Sequence, residues 1–179
     1  MISLAGRDIL HGWGKFVFTG IGLGLPIGVT LIMAGLYRGM IDDAQALLDN
    51  SGADLWVVQQ DTLGPYAEPS SLPDDAYRSV RLTRGVEQAV NITYLTMQAR
   101  RGSQDVRTMV VGVAPGASTQ PGWPRHLVAG RHLTHSHYEA VADIASGFAL
   151  GDRIQIRRKQ YTVVGLTRRM VSSGGDPMI

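Results

Sequence analysis

Cysteine is absent from all 179 residues. Disulfides, thiolate nucleophiles and sulfur-bound metals are excluded with it. The absence is compatible with an oxidising compartment and does not establish one. Several short motifs that carry common chemistry are missing too. No glycine-rich loop runs into Lys-Ser/Thr, so the chain is not an ATPase. Neither a Gly-x-Ser-x-Gly elbow nor an HExxH helix occurs. Asp74 and Asp75 are adjacent and would diverge; helix-start electrostatics accounts for them. Asp152, in LGDRI, reads as a turn residue, and Ser172–Asp176 (SSGGD) as a flexible turn. No residue set makes an enzyme, and no cofactor is expected.

Charge of one sign is not in excess. The chain has 17 basic and 15 acidic residues, so net charge names no partner. The basic runs Arg157–Lys159 and Arg168–Arg169 have no aromatics interleaved for base stacking. Nucleic acid is therefore not an expected partner, and Arg157–Lys159 reads as a solvated strand face.

What is present is one long apolar run. Phe16 to Tyr37 (FVFTGIGLGLPIGVTLIMAGLY) is 22 residues without a charge. As a helix it rises roughly 33 Å, close to the ~30 Å hydrocarbon core of a bilayer. Eleven of the 22 are Phe, Val, Ile or Leu, each favourable in a span by about 0.3–0.6 kcal/mol. Five glycines, Pro26, Thr19 and Thr30 offset part of that. A cleaved leader fits less well, because its apolar core is normally about 7–15 residues and ends at a small-residue site. The sequence predicts a retained transmembrane helix with membrane lipid as a partner. Arg7 and Lys15 precede it; Arg38 follows, with no further Lys or Arg before Arg78. The positive-inside rule then puts the N-terminus in the cytoplasm and residues 38–179 outside.

Residues 1–14 read as a cytoplasmic or interfacial amphipathic segment, with Trp13 at headgroup level. Residues 15–50 read as the transmembrane helix and a stalk. Within the span, Gly20, Gly24 and Gly28 share one face and would admit a close helix partner. Pro26 lacks an N–H and crowds the Gly22 carbonyl, which predicts a kink. The helical spacing of Met40, Ile41, Ala44, Leu47 and Leu48 carries the helix out to about Asn50, with Gly52 as the stop.

Beyond the stalk the pattern turns to strands. Asp54–Gln60 (DLWVVQQ) reads as a short strand, Thr62–Ser71 as a loop, and Pro73–Leu82 as a helix with Ser71 as a possible cap. Ala89–Arg100 and Val106–Val113 read as a hairpin around Gly102–Asp105. Ala114–Arg125 is rich in Pro, Gly and Ser and reads as a loop or lobe boundary. Tyr138–Ala142 is a strand candidate, and Leu150–Ile156 with Tyr161–Thr167 form a second hairpin-like pair. After Met170 the chain ends on turn chemistry leading into no element. Four histidines, His126, His132, His135 and His137, invite a metal reading. No acidic or sulfur ligand sits at matching spacing, so they read as loop histidines and no metal is expected.

The order of these pieces resembles the N-terminal part of ABC transporter permeases of the MacB/FtsX type, DevC-like permeases included. The resemblance is carried by SGADLWVV (Ser51–Val58), LVAGRHLT (Leu127–Thr134), LGDRIQI (Leu150–Ile156) and YTVVGL (Tyr161–Leu166). It implies an α+β architecture: one N-terminal transmembrane helix, prolonged as a stalk, leading into a mixed extracytoplasmic core domain over 51–179. It further implies a bacterial inner-membrane permease subunit that couples a separate ABC ATPase to movement of its extracytoplasmic domain. A second permease copy or further spans, and a periplasmic adaptor protein, are the other implied partners. The further spans of such permeases are missing here, so a truncated core domain is expected. The alternative from another class is a singly anchored extracytoplasmic binding or adaptor module with no transport role; a secreted protein with a cleaved leader is the third.

Overall fold

A computed structural model of the chain describes residues 12–64, 68–113, 124–134 and 138–179. The predicted amphipathic segment before Trp13 lies almost wholly outside them. The chain divides into two compact units, residues 1–41 and 42–179. Helix α1 spans Trp13–Ser51.

In the first unit the helix is apolar all round. Its most apolar stretch has a mean hydropathy of 2.0, and none of that stretch is buried. Phe18 is 83% exposed and Leu31 68%. So much uncovered apolar surface is a solubility liability in water and is at rest in lipid. By length and composition the helix is able to cross a membrane. Pro26 lies inside it, and Thr30 Oγ1 donates to the Pro26 carbonyl at 2.9 Å. Gly20, Gly24 and Gly28 have open space where a Cβ would stand.

The second unit is an α+β domain built on one sheet. Strands β1 (Ile92–Arg101) and β2 (Gln104–Val113) form an antiparallel hairpin, with Arg101 opposite Gln104. The turn is thus Gly102–Ser103, shorter than the predicted Gly102–Asp105, and Gly102 supplies the left-handed backbone (φ 60°). Strands β5 (Arg153–Ile156) and β6 (Lys159–Thr167) form the second hairpin. Arg157 and Arg158 make its turn, so this basic run is no strand face; only Lys159 belongs to β6. A short β3 (Ala129–Gly130) pairs with β6 antiparallel, and β4 (Glu139–Asp143) pairs with β6 in parallel. A single-turn helix at Ile144–Ser146 links β4 to the second hairpin. The small helix α2 covers Ala76–Arg81.

Three predicted elements differ. Asp54–Gln60 is extended but has no strand partner. Leu55 and Val57 are exposed, while Trp56 and Val58 on the alternate face are half-buried, but no strand lies alongside to take up the backbone bonds. It is held by side chains: Gln59 N donates to Ser70 Oγ (2.7 Å), and Trp56 rests near Tyr94, ring centroids 6.4 Å apart. Helix α2 is shorter than Pro73–Leu82, and its N-cap is Asp75, not Ser71. Asp74 and Asp75 lie in the turn before it.

The third difference is the largest. The Ser172–Asp176 turn leads into residues 177–179, which lie between β2 and the end of β4. Met109 N donates to the Pro177 carbonyl, Ile179 N to the Met109 carbonyl and Val111 N to the Ile179 carbonyl, at 2.7–3.0 Å. On the other side Asp143 N donates to the Met178 carbonyl at 2.9 Å. With β1 also paired to β5, the backbone bonding runs in a closed circuit: β1, β2, 177–179, β4, β6, β5 and back to β1. Closure leaves few strand edges unpaired. The core inside comprises Ala99, Ala142, Phe148, Ile154, Val163 and Ile179, among others. The alternation along β5 explains two of its neighbours: Ile154 and Ile156 point in, Arg153 and Gln155 out.

Arg101 ties β1 to the loop before β5. It donates to the Gly147 carbonyl (2.9 Å) and Asp152 Oδ2 (2.7 Å) and lies over the Phe148 ring. Asp152 also accepts from Ala149 N, so it is the turn residue that the sequence indicates. The Ala149 amide first, and Arg101 second, hold its carboxyl below the ordinary 3.8. Arg100 does the same for Asp105. A depressed carboxyl pKa adds stability that is complete above the unfolded value and vanishes as pH falls through the folded one. Urea midpoints of the wild type are expected to drop below about pH 4. Asp152→Asn flattens that drop; an unchanged pH profile would count against the assignment.

Candidate functional site: the helix end and the adjoining cavity

The second unit contains the last turns of α1, residues 42–51, and buries one face of their end: Leu47, Asn50 and Ser51. Leu47 is 2% exposed, Ser51 3% and Asn50 6%. Gly52 ends the helix with a left-handed φ of 67°, as its position in the sequence indicates. Arg125 N donates to the Asn50 carbonyl at 2.8 Å, and His126 N donates to Asn50 Oδ1 at 2.7 Å. Arg125 Nη2 reaches the Gly52 carbonyl at 3.1 Å. Asp43 and Arg169 form an ion pair at 3.5 Å. Two segments, 125–126 and 169, thus grip the helix end. The exposed ion pair contributes little, under about 1 kcal/mol. The Asn50 amide matters more, since its side chain is buried and satisfies the part-buried His126 backbone donor. Asn50→Ala is expected to cost about 1–3 kcal/mol, read as a lower urea midpoint.

Beside the helix end lies a cavity of about 440 Å³. Val110, Ala140, Val141, Ile156, Met178 and Ile179 supply apolar wall, and Leu47 and Ser51 bring the helix end to it. Tyr94, Glu139, Lys159 and Thr167 supply polar groups. Burial raises the Tyr94 phenol above its usual pKa and keeps it neutral. Glu139 accepts both Arg131 guanidinium nitrogens (2.5 and 3.1 Å) and Thr134 N (3.0 Å). Lys159 Nζ stands 5.4 Å from the Tyr138 ring centroid and 3.4 Å from its hydroxyl.

The residues singled out by sequence fall elsewhere. Gly20, Gly24, Gly28 and Pro26 belong to the first unit and are not brought to this site. His126 enters the grip through its backbone N–H. His132 is described, whereas His135 and His137 lie outside the described residues. Among the described residues no three His, Asp or Glu side chains gather as metal ligands. Sequence reasoning missed Asn50 and its partners. The Leu47–Leu48 spacing marked the helix, but the bond from His126 spans 76 residues and leaves no local trace.

The class is a tethered sheet domain: an apolar helix whose end is embedded in a closed α+β core. The chain belongs to the family of the MacB-like periplasmic core domain, whose model matches residues 16–179. It is similar to an ABC transporter permease of Mycobacterium tuberculosis strain H37Rv, 30% identical over 166 residues, which are 93% of this chain and 46% of the relative. A permease of Mycobacterium bovis is 25% identical over 179 residues, 100% of this chain and 50% of the relative. The chain therefore spans about half the length of the curated relatives it matches. Among solved structures it is similar to the extracellular domain of the ABC-type transporter YknZ from Gram-positive bacteria (TM-score 0.47, 16% identity, 69% of each chain). It is also similar to the periplasmic region of MacB from Actinobacillus actinomycetemcomitans (TM-score 0.45, 13% identity, 60% of this chain and 54% of that one).

Proposed function

We propose that residues 1–179 are the N-terminal part of an ABC-type permease subunit that couples a separate ATPase to movement of its extracytoplasmic domain. The observation that carries this reading is the grip on the helix end. A helix end packed through Leu47, Asn50 and Ser51 and hydrogen-bonded to the domain passes axial or rotational displacement on to it, because packed interiors deform little. The family and the permease relatives supply the context. In this reading α1 crosses the inner membrane with its N-terminus in the cytoplasm, in line with Arg7 and Lys15 before the apolar run. Gly20, Gly24 and Gly28 pack against other spans or a second permease copy, and Pro26 kinks the span. The ATPase subunit works on the cytoplasmic side, and a periplasmic adaptor protein is a further candidate partner.

The test uses the full-length permease with its co-purified ATPase in lipid nanodiscs. Leu82 is 87% exposed and takes a single spin label. Electron–electron distances between copies are compared without nucleotide and with ATP plus vanadate. The reading expects a nucleotide-dependent shift that shrinks in Asn50→Ala. It fails if no ATPase co-purifies, or if the distances are the same in every nucleotide state. A chain that stays membrane-bound without an ATPase would favour the anchored binding module.

A further inference from the structure

We propose that the 440 Å³ cavity is a binding site for a single acyl chain with an anionic head, its tail in the apolar interior and its head at Lys159. The site does not depend on the permease reading. Its volume is in the range of small-molecule sites, about 300–1,000 Å³. Its lining is extended. Lys159 and Thr167 both line it and stand at the two ends of β6, which puts them about 26 Å apart at the usual strand rise. The lining therefore reaches from one end of that strand to the other. It suits a flexible chain better than a rounded ring system. The wall is apolar, and Met170 and Met178 in it adapt to a variable tail.

Charge supplies the head's identity. Two lining residues carry full charge, Glu139 and Lys159. The Glu139 carboxylate is neutralised by the two-pronged Arg131 bond, so it presents little repulsion to an anion. Lys159 forms no ion pair among the described residues; its ammonium contacts only the Tyr138 ring and hydroxyl. Among the described side chains lining the cavity, the charge left without an ion-pair partner is thus the compact ammonium of Lys159. A lysine is a point charge on a flexible stem and accepts a carboxylate or a phosphate alike. Tyr94 also lines the space, and burial keeps its phenol neutral.

The test is photo-crosslinking of the full-length protein in nanodiscs with a diazirine-bearing palmitate, followed by peptide mapping. The proposal expects label in peptides holding Val110–Val113 or Ile156, displaced by unlabelled palmitate. Lys159→Gln, at the rim and not in the core, is expected to weaken palmitate about 5-fold. It should leave a neutral monoacylglycerol of equal chain length unaffected. Lysophosphatidylglycerol is the second arm: tighter binding than palmitate assigns the head to a phosphate, weaker binding to a carboxylate. Label scattered over α1 alone, or equal loss of charged and neutral lipids in Lys159→Gln, would overturn the proposal. Val110→Trp fills the cavity and should abolish labelling while the thermal transition persists; labelling that survives it in a folded protein also overturns it.

Discussion

Gly130→Ala is expected to lower the stability of the sheet domain by about 2–5 kcal/mol. Gly130 sits at φ 82°, where an L side chain is strained by about 1–2 kcal/mol. A Cβ there would also overlap the Val164 carbonyl oxygen and stand 2.9 Å from the Gly165 Cα. Both are backbone atoms of β6, which is paired on both sides and cannot yield. Overpacking of this kind costs about 1–3 kcal/mol more. Gly165, opposite Gly130 in the β3–β6 register, has the reciprocal constraint: its Cβ would lie 2.5 Å from the Arg131 carbonyl oxygen. Gly165→Ala carries no φ penalty and is expected to cost less than Gly130→Ala. Gly174→Ala is the control, with only ordinary contacts at 3.7 and 3.9 Å. Urea midpoints of the three variants order the effects. Equal midpoints for Gly130→Ala and Gly174→Ala would mean that β3 and β6 do not approach as described.

The second large effect is expected at Asp143. The residue is 1% exposed. Its Oδ1 accepts from Ala145 N at 2.8 Å, and its Oδ2 from Met170 N at 2.8 Å and Thr167 Oγ1 at 3.4 Å. Alanine would leave the buried Thr167 hydroxyl and the part-buried Ala145 and Met170 amides without this acceptor, at about 1–3 kcal/mol per orphaned group. Because one relaxation can serve several of them, about 2–4 kcal/mol is expected in total. Asp143→Asn keeps one acceptor oxygen and is expected to fall between alanine and wild type. The damage should be local first. Asp143 joins the end of β4 to Met170, and Met170 in turn accepts from Met178 N. Hydrogen exchange at Met178 and Ile179 should therefore accelerate in Asp143→Ala before that of the β1–β2 hairpin. Uniform acceleration throughout the domain would contradict a role in holding 177–179.

The elements that the sequence shows well are those whose partners lie close along the chain. The β1–β2 and β5–β6 hairpins combine alternating apolar residues with a turn of two residues, so pattern and pairing arise in the same stretch. Asp54–Gln60 has equally strong strand propensity and is not a strand. Propensity for β-structure records how a residue packs in a sheet, and no sheet edge meets this run. The short helix α2 was legible in kind but not in its bounds: it starts after Asp75, which stands at the N-cap position without a side-chain capping bond, and not after Ser71.

The long uncharged run settles from composition alone that α1 is apolar on every side over Phe16–Tyr37, because no arrangement of twenty-two such residues can offer a charged face. The family, likewise, was legible in the order of short motifs along the chain. Only the tertiary structure decided that residues 177–179 close the sheet, that Asn50 is gripped by 125–126, and that a cavity lies between them. Each of these joins segments far apart in sequence. Such contacts depend on the closure of long loops and on complementary shape, and neither leaves a periodic signature in the residues themselves.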